Sequence, residues 1–227
     1  MSTRLNVDYW SSLYPVYTNY GEKYRDAMEC TQLLDRAESL WNWKGLNRSI
    51  PFDDIAPIIE QVDFEEYVRC PQQNAVESLS SRLCDHEILN SGSLVTPAFL
   101  LHLAASEPDQ YSVKFPIYDR RVWNAYVYLW GHRGKGDHLY TAASHSPSKY
   151  EDFCQKFSQA CPDGKGREYE RALFMFGGFI MDIPPKDETT RIEKVDEILE
   201  KQEQALSKTQ QRADCVAVDI DGVYDAR

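Results

Sequence analysis

The stretch Phe115-Pro116-Ile117-Tyr118-Asp119-Arg120-Arg121-Val122-Trp123 decides how this chain is read. It begins as an extended piece running to Pro116 and turns into a helix at Asp119. A carboxylate at a helix start accepts from the free N–H groups of the first turn and sits in the favourable end of the dipole, so it stays ionised. Val122, Ala125, Tyr126 and Leu129 then fall on one face, which predicts a helix over Asp119–Trp130. Capping alone accounts for an isolated Asp in this position.

Outward from that stretch, helical spacing prevails. Residues 21–45 carry Tyr24, Met28, Leu33, Leu34, Ala37, Leu40 and Trp41 at near-helical intervals. Pro51 opens a short helix through Ile55, Ile58, Ile59 and Val62, and Ala75 to Leu83 is amphipathic. Asn90-Ser91-Gly92-Ser93 is a turn. Thr96-Pro97 reads as N-cap and first residue of a helix through Leu103. Behind the Asp119 helix come a glycine-rich polar loop (Gly131, Gly134, Gly136) and helices over Ser148–Cys161 and Arg167–Met181. The apolar run 172–180 fits a buried strand by periodicity alone, but its length and acidic approach favour a buried helix. After Pro184-Pro185, a charged helix is predicted over Thr189–Arg212, and residues 215–220 alternate like a short strand. The expectation is a mainly α fold, a helical bundle in two intimately packed lobes, with residues 1–185 as the main domain and 186–227 a charged helix and tail packing on it.

With 227 residues, 42% of them hydrophobic, the chain has material for one packed core. No apolar run reaches the ~18 residues of a membrane span, and the N-terminus lacks an apolar leader core. A soluble, cytoplasmic protein is expected. The six cysteines form no CxxC pair, and no HExxH, phosphate loop or nucleophile elbow occurs, so neither a metal nor a cofactor is implied. Cys154 and Cys161 have six residues between them, the spacing of the first two iron–sulfur ligands in endonuclease III-type glycosylases. Gly164, Arg167 and Glu168 follow instead of further thiolates.

The net charge of −11 argues against nucleic acid, but its distribution is uneven. Residues 1–110 sum to −9 and residues 150–227 to −6, whereas residues 111–149 sum to +4 and hold three of the five histidines. A basic island or a chance fluctuation fits this pattern, because only proximity in the fold makes a patch.

The order of helix, glycine turn, helix, Pro-containing segment and Asp-led helix resembles the helix-hairpin-helix DNA glycosylases, the superfamily of the 8-oxoguanine and 3-methyladenine enzymes. Pro116, Asp119 and Trp123 match the 8-oxoguanine type, in which an Asp is followed four residues later by Trp. Leu89-Asn90-Ser91-Gly92 stands where the hairpin turn belongs, and Phe174 to Phe179 is similar to the late helix that lines the base pocket. The resemblance covers roughly residues 80–180.

The resemblance implies DNA, or another nucleoside-containing substrate, as partner. It gives Asp119 the catalytic role: its carboxylate stabilises the positive charge that develops on the sugar as the base leaves. It makes Tyr118, Trp123, Phe99, His102 and Phe176 candidates for holding a flipped base. It assigns phosphate contacts to Gly92, Ser93, Arg120, Arg121 and Arg133. For each the plain alternative stands beside it: core aromatics, a satisfied core histidine, and arginines on a solvated helix face.

Two departures shape the expected activity. The helix Thr96-Pro97-Ala98-Phe99-Leu100-Leu101-His102 lacks the lysine that forms a Schiff base in bifunctional members, so monofunctional base excision without β-lyase chemistry is expected. Lys114 lies on another element. The turn has Gly92 alone, not a Gly-x-Gly phosphate nest. These departures and the acidic total motivate a second expectation. In it, a catalytically degenerate glycosylase fold docks a partner protein through its acidic surface, as an accessory in a bacterial anti-phage defence system. An unrelated helical enzyme is a third reading.

Overall fold

The computed structural model describes residues 5–14, 18–89 (backbone only for 18–21), 93–105, 113–131, 137–139, 142–184, 187, 189, 191–205 and 207–208. The chain divides into two compact units, Met1–Met181 and Asp182–Arg227. In the second unit, residues 191–205 are helical, and Lys201 pairs with Glu197 one turn earlier at 2.5 Å.

The first unit is mainly α, and no strand occurs among the described residues. Its helices are α1 Val7–Ser12, α2 Thr18–Met28, α3 Leu33–Lys44, α4 Phe52–Gln61, α5 Phe64–Arg69, α6 Gln72–Asp85, α7 Val95–Ala105, α8 Arg120–Trp130, α9 Pro147–Ala160 and α10 Gly166–Asp182. Helix α7 packs on α3, α5 and α6, while α6 also packs on α5 and α9, and α3 on α2 and α4. That position explains its composition. Residues Thr96 to Leu103 are all buried, so the helix is apolar around its whole circumference.

Three boundaries differ from expectation. The pattern over 21–45 is two helices, because the chain breaks at residues 29–32. Arg36 stabilises the break: its Nε and Nη2 donate to the Cys30 carbonyl at 3.1 and 2.9 Å, and its Nη1 reaches the Leu103 carbonyl of α7 at 3.1 Å. One side chain thus satisfies carbonyls at the ends of two helices. Helix α7 starts at Val95, so Thr96 is inside it rather than its N-cap, and Pro97 sits in the first turn, where its missing N–H costs nothing. Helix α5, capped by Asp63 through the N–H groups of Glu65 and Glu66, has no strong sequence signal because it is six residues long.

The run 172–180 is helical, as part of α10, and α8 starts just after Asp119. The turn Asn90 to Gly92, most of the glycine-rich loop and the alternating tail 215–220 lie outside the described residues. No helix among the described residues is long and apolar enough to cross a membrane.

Candidate functional site

Asp119 is the N-cap of α8. Its Oδ1 accepts from the backbone N–H groups of Arg121 and Val122 at 2.9 and 3.0 Å. Its Oδ2 is taken by a partner from far away in sequence, the ammonium of Lys44. Lys44 is the last residue of α3, and Gly45 ends that helix in the left-handed conformation, φ 72°, with its N–H bonded to the Asn42 and Trp41 carbonyls. The two side chains are only 12% and 14% exposed. Burial by itself raises the Asp119 carboxyl; the Lys44 ammonium and the two backbone N–H groups outweigh it and hold the group below its ordinary range.

The extended segment before Asp119 is pinned from both sides. The Ile117 N–H donates to Glu170 Oε1 at 2.7 Å, and the Phe115 carbonyl accepts from His102 Nδ1 at 2.8 Å. Since a carbonyl only accepts, His102 carries its proton on Nδ1, and its Nε2 accepts from the Tyr24 hydroxyl at 2.7 Å. Arg167 Nη1 lies 3.3 Å from the same Nε2 and donates to Glu170 Oε2 at 2.9 Å. Burial, with Arg167 nearby, lowers the His102 pKa to about 4, so the ring is neutral. Burial raises the Glu170 carboxyl, but the His102 ring edge, the Arg167 guanidinium and the Ile117 N–H outweigh it, and it stays ionised. A closed buried polar network of this kind fixes the backbone that presents Asp119.

Beside the Lys44–Asp119 pair opens a small pocket that encloses about 30 Å³. Its walls are aromatic: Tyr14 packs edge-on to Phe174 at 6.0 Å, and Tyr24 lies 5.1 Å from Trp43. Its charged lining is Lys44, Arg167, Arg171 and one carboxylate, Glu170. Each ring carries a cation: Lys44 lies 5.8 Å from both Trp43 and Phe174, Arg167 5.6 Å from Tyr24 and Arg171 5.3 Å from Tyr14. Arg121, outside the lining proper, lies 4.6 Å over Phe174.

Of the residues expected from sequence, Asp119 and Arg121 adjoin this pocket. The expected base-holding aromatics do not line it. Tyr118 is buried between Trp123, Tyr150 and Phe153, and Trp123 stacks on Tyr126 at 5.2 Å. Phe99 packs on Trp41, and Phe176 is enclosed by Trp10, Tyr128 and Phe179. All four are core residues, at most 3% exposed. On α10 the pocket ring is Phe174, two residues earlier, which faces the opposite way from Phe176 by helical rotation. His102 is a satisfied buried histidine one layer behind the pocket, touching it through Tyr24 and Arg167.

The expected phosphate contacts also scatter. Arg120 is exposed, Ser93 gives its carbonyl to the Ser80 hydroxyl at 3.4 Å, and Gly92 and Arg133 lie outside the described residues. Among the described residues, the basic stretch 111–149 does not converge either. Lys149 pairs with Asp137 at 2.8 Å, and Lys114 donates to the Val68 carbonyl. The positive site is instead built by Lys44, Arg167 and Arg171, from segments whose totals are acidic. Arg167, Glu170, Arg171 and Phe174 share one face of α10 at spacings of three and four, a signal that was readable in the sequence. Lys44 gave no such signal, since a lysine in the last turn is accounted for by the helix dipole.

No protein-family model, curated protein or solved structure matches this chain.

Proposed function

We propose that the chain is an N-glycosylase-type enzyme whose reacting centre is the Lys44–Asp119 pair, with the base at the mouth of the adjoining aromatic pocket. The observation that carries this reading is the pairing itself: a part-buried amine and a part-buried carboxylate, brought together from α3 and the start of α8, beside a small ring-lined cavity. In the reaction the glycosidic C–N bond breaks and the base leaves with the electron pair. The sugar gains positive charge, which the Asp119 carboxylate offsets in a site of low dielectric. The base takes up a proton, and water supplies hydroxide to the anomeric carbon.

The helix Thr96–His102 has no lysine, but Lys44 places an amine at the same carboxylate. Transfer of the Lys44 proton to the departing base frees that amine to attack the anomeric carbon, while Asp119 stays ionised and offsets the charge on the sugar. Base release should fall to background in Asp119→Asn and by at least about a hundredfold in Lys44→Met, a loss of about 2.7 kcal/mol in transition-state stabilisation. Borohydride trapping of wild type but not of Lys44→Met identifies the amine as nucleophile. Base release without trapping identifies water.

A second reading is favoured by one observation: both carboxylate oxygens of Asp119 are already occupied, one by its own helix and one by Lys44. In that reading the pocket binds a ligand without cleaving it, and the chain works as an accessory to a partner. Absence of base release from every nucleoside, nucleotide and oligonucleotide offered would select it.

A further inference from the structure

The pocket beside the Lys44–Asp119 pair has room for one molecule of water and little else. It encloses about 30 Å³, and a water takes up roughly 30 Å³ in the liquid. Much of its wall is apolar: Ile117, Val122 and the rings of Tyr14 and Phe174, which meet edge-on at 6.0 Å. The same lining presents the Lys44 ammonium and the Glu170 carboxylate. A held water needs polar partners of both kinds, donor and acceptor. An ammonium has more N–H donors than the one Lys44 gives to Asp119.

The two carboxylates differ in what they still can accept. Asp119 takes the N–H groups of Arg121 and Val122 and the ammonium of Lys44. Glu170 takes one bond on each oxygen, from the Ile117 N–H at 2.7 Å and from Arg167 Nη1 at 2.9 Å. A carboxylate offers about four lone-pair sites, so Glu170 keeps acceptor capacity. Its side chain is only 9% exposed, which shuts out bulk water. Burial favours the neutral acid, but the His102 ring edge, the Arg167 guanidinium and the Ile117 N–H outweigh it and keep the group ionised. A buried anion with unfilled acceptor sites beside a water-sized cavity is where a water binds.

We infer that this pocket seats the water consumed in base excision, and that Glu170 is the group that takes its proton. The inference rests on the N-glycosylase reading and chooses between its two nucleophiles: water, not the Lys44 amine. The glycosidic C–N bond breaks, and the base leaves with the electron pair and takes the Lys44 proton. Asp119 stays ionised and offsets the charge on the sugar. A lone pair of the water oxygen forms the bond to the anomeric carbon, and the water's proton passes to Glu170. That proton returns to Lys44 through solvent, so the products are free base and a sugar hydroxyl. A weakly basic carboxylate suffices, because a water oxygen newly bonded to so electron-poor a carbon is a strong acid.

The test uses the full chain. A crystal structure of the wild type at a resolution that orders waters should show one in the pocket, within hydrogen-bonding distance of Glu170. A pocket without that water overturns the inference. Base release is then followed from nucleosides, nucleotides and oligonucleotides in water containing ethanol. Ethanol exceeds the enclosed space, so the wild type should form less than about a tenth of the ethyl glycoside that ethanol's share of the solvent predicts. Tyr14→Ala opens the wall and should let that glycoside form. Ethyl glycoside in proportion to ethanol with the wild type, or a borohydride-trapped Lys44 adduct, overturns the inference and leaves the N-glycosylase reading intact. Glu170→Gln, with Lys44 and Asp119 still paired in its crystal structure, should release base at least about a hundredfold more slowly. Undiminished release overturns the inference. A seated water with no base release from any substrate overturns the N-glycosylase reading, and the water's part as reactant with it, while the seat itself stands.

Discussion

A Cβ built on Gly177 would lie 1.8 Å from the carbonyl oxygen of Arg121. Helix α10 therefore rests with its backbone directly on the first turn of α8, the turn that Asp119 caps. Gly177→Ala has no side chain to move aside, only backbone, so α10 must shift. We expect a loss of at least about 2 kcal/mol in chemical denaturation. Gly178→Ala is the control, because its Cβ meets only the Arg121 side chain at 3.7 Å. Helix propensity then dominates, and the variant should be neutral or gain up to about 1 kcal/mol. Equal effects of the two would contradict the close crossing.

The Lys44–Asp119 pair makes a second prediction. Asp119→Ala removes the helix cap and leaves an ammonium that is 12% exposed without its partner. A cost of about 3–5 kcal/mol is expected. Lys44→Met leaves Asp119 its two N–H donors and should cost less, about 2 kcal/mol. The double variant should be more stable than the sum of the single losses implies, because the stranded charge is gone. Simple additivity in a denaturant double-mutant cycle would show the pair to be energetically uncoupled.

Acid should destabilise the first unit in two steps. The folded pKa of His102, about 4, lies below its ordinary 6.5. The unfolded chain therefore binds the extra proton first, and stability present above pH 6.5 is lost as pH falls towards 4, by about 3 kcal/mol. Asp119 and Glu170 are held below their ordinary values, so their contribution is present at neutral pH and lost in more acid solution. His102→Gln does not titrate. Melting temperature followed from neutral to acid pH should show the first decline flattened in this variant and the more acid one retained.

The two neighbouring phenylalanines of α10 should separate pocket from core. Phe174 lines the pocket and is half-buried, so Phe174→Leu should cost under about 1 kcal/mol of stability yet slow base release severalfold. Phe176 is fully enclosed, and Phe176→Leu should cost about 1–3 kcal/mol with base release unchanged in the folded protein. The reverse pattern would return Phe176 to the pocket.

By itself, the sequence determined what depends on near neighbours. The mainly α fold, the cap at Asp119 and the helix over the apolar run 172–180 all follow from spacing and capping chemistry, which act within a turn or two of chain. Only the tertiary structure decided what depends on distant ones. Tyr118, Trp123, Phe99 and Phe176 are as aromatic as Tyr14, Tyr24, Trp43 and Phe174, and which set lines a cavity is a matter of packing, not of residue type. The same holds for the lysine beside Asp119. Nothing local marks Lys44, 75 residues away, because charges couple through space once burial lowers the dielectric between them.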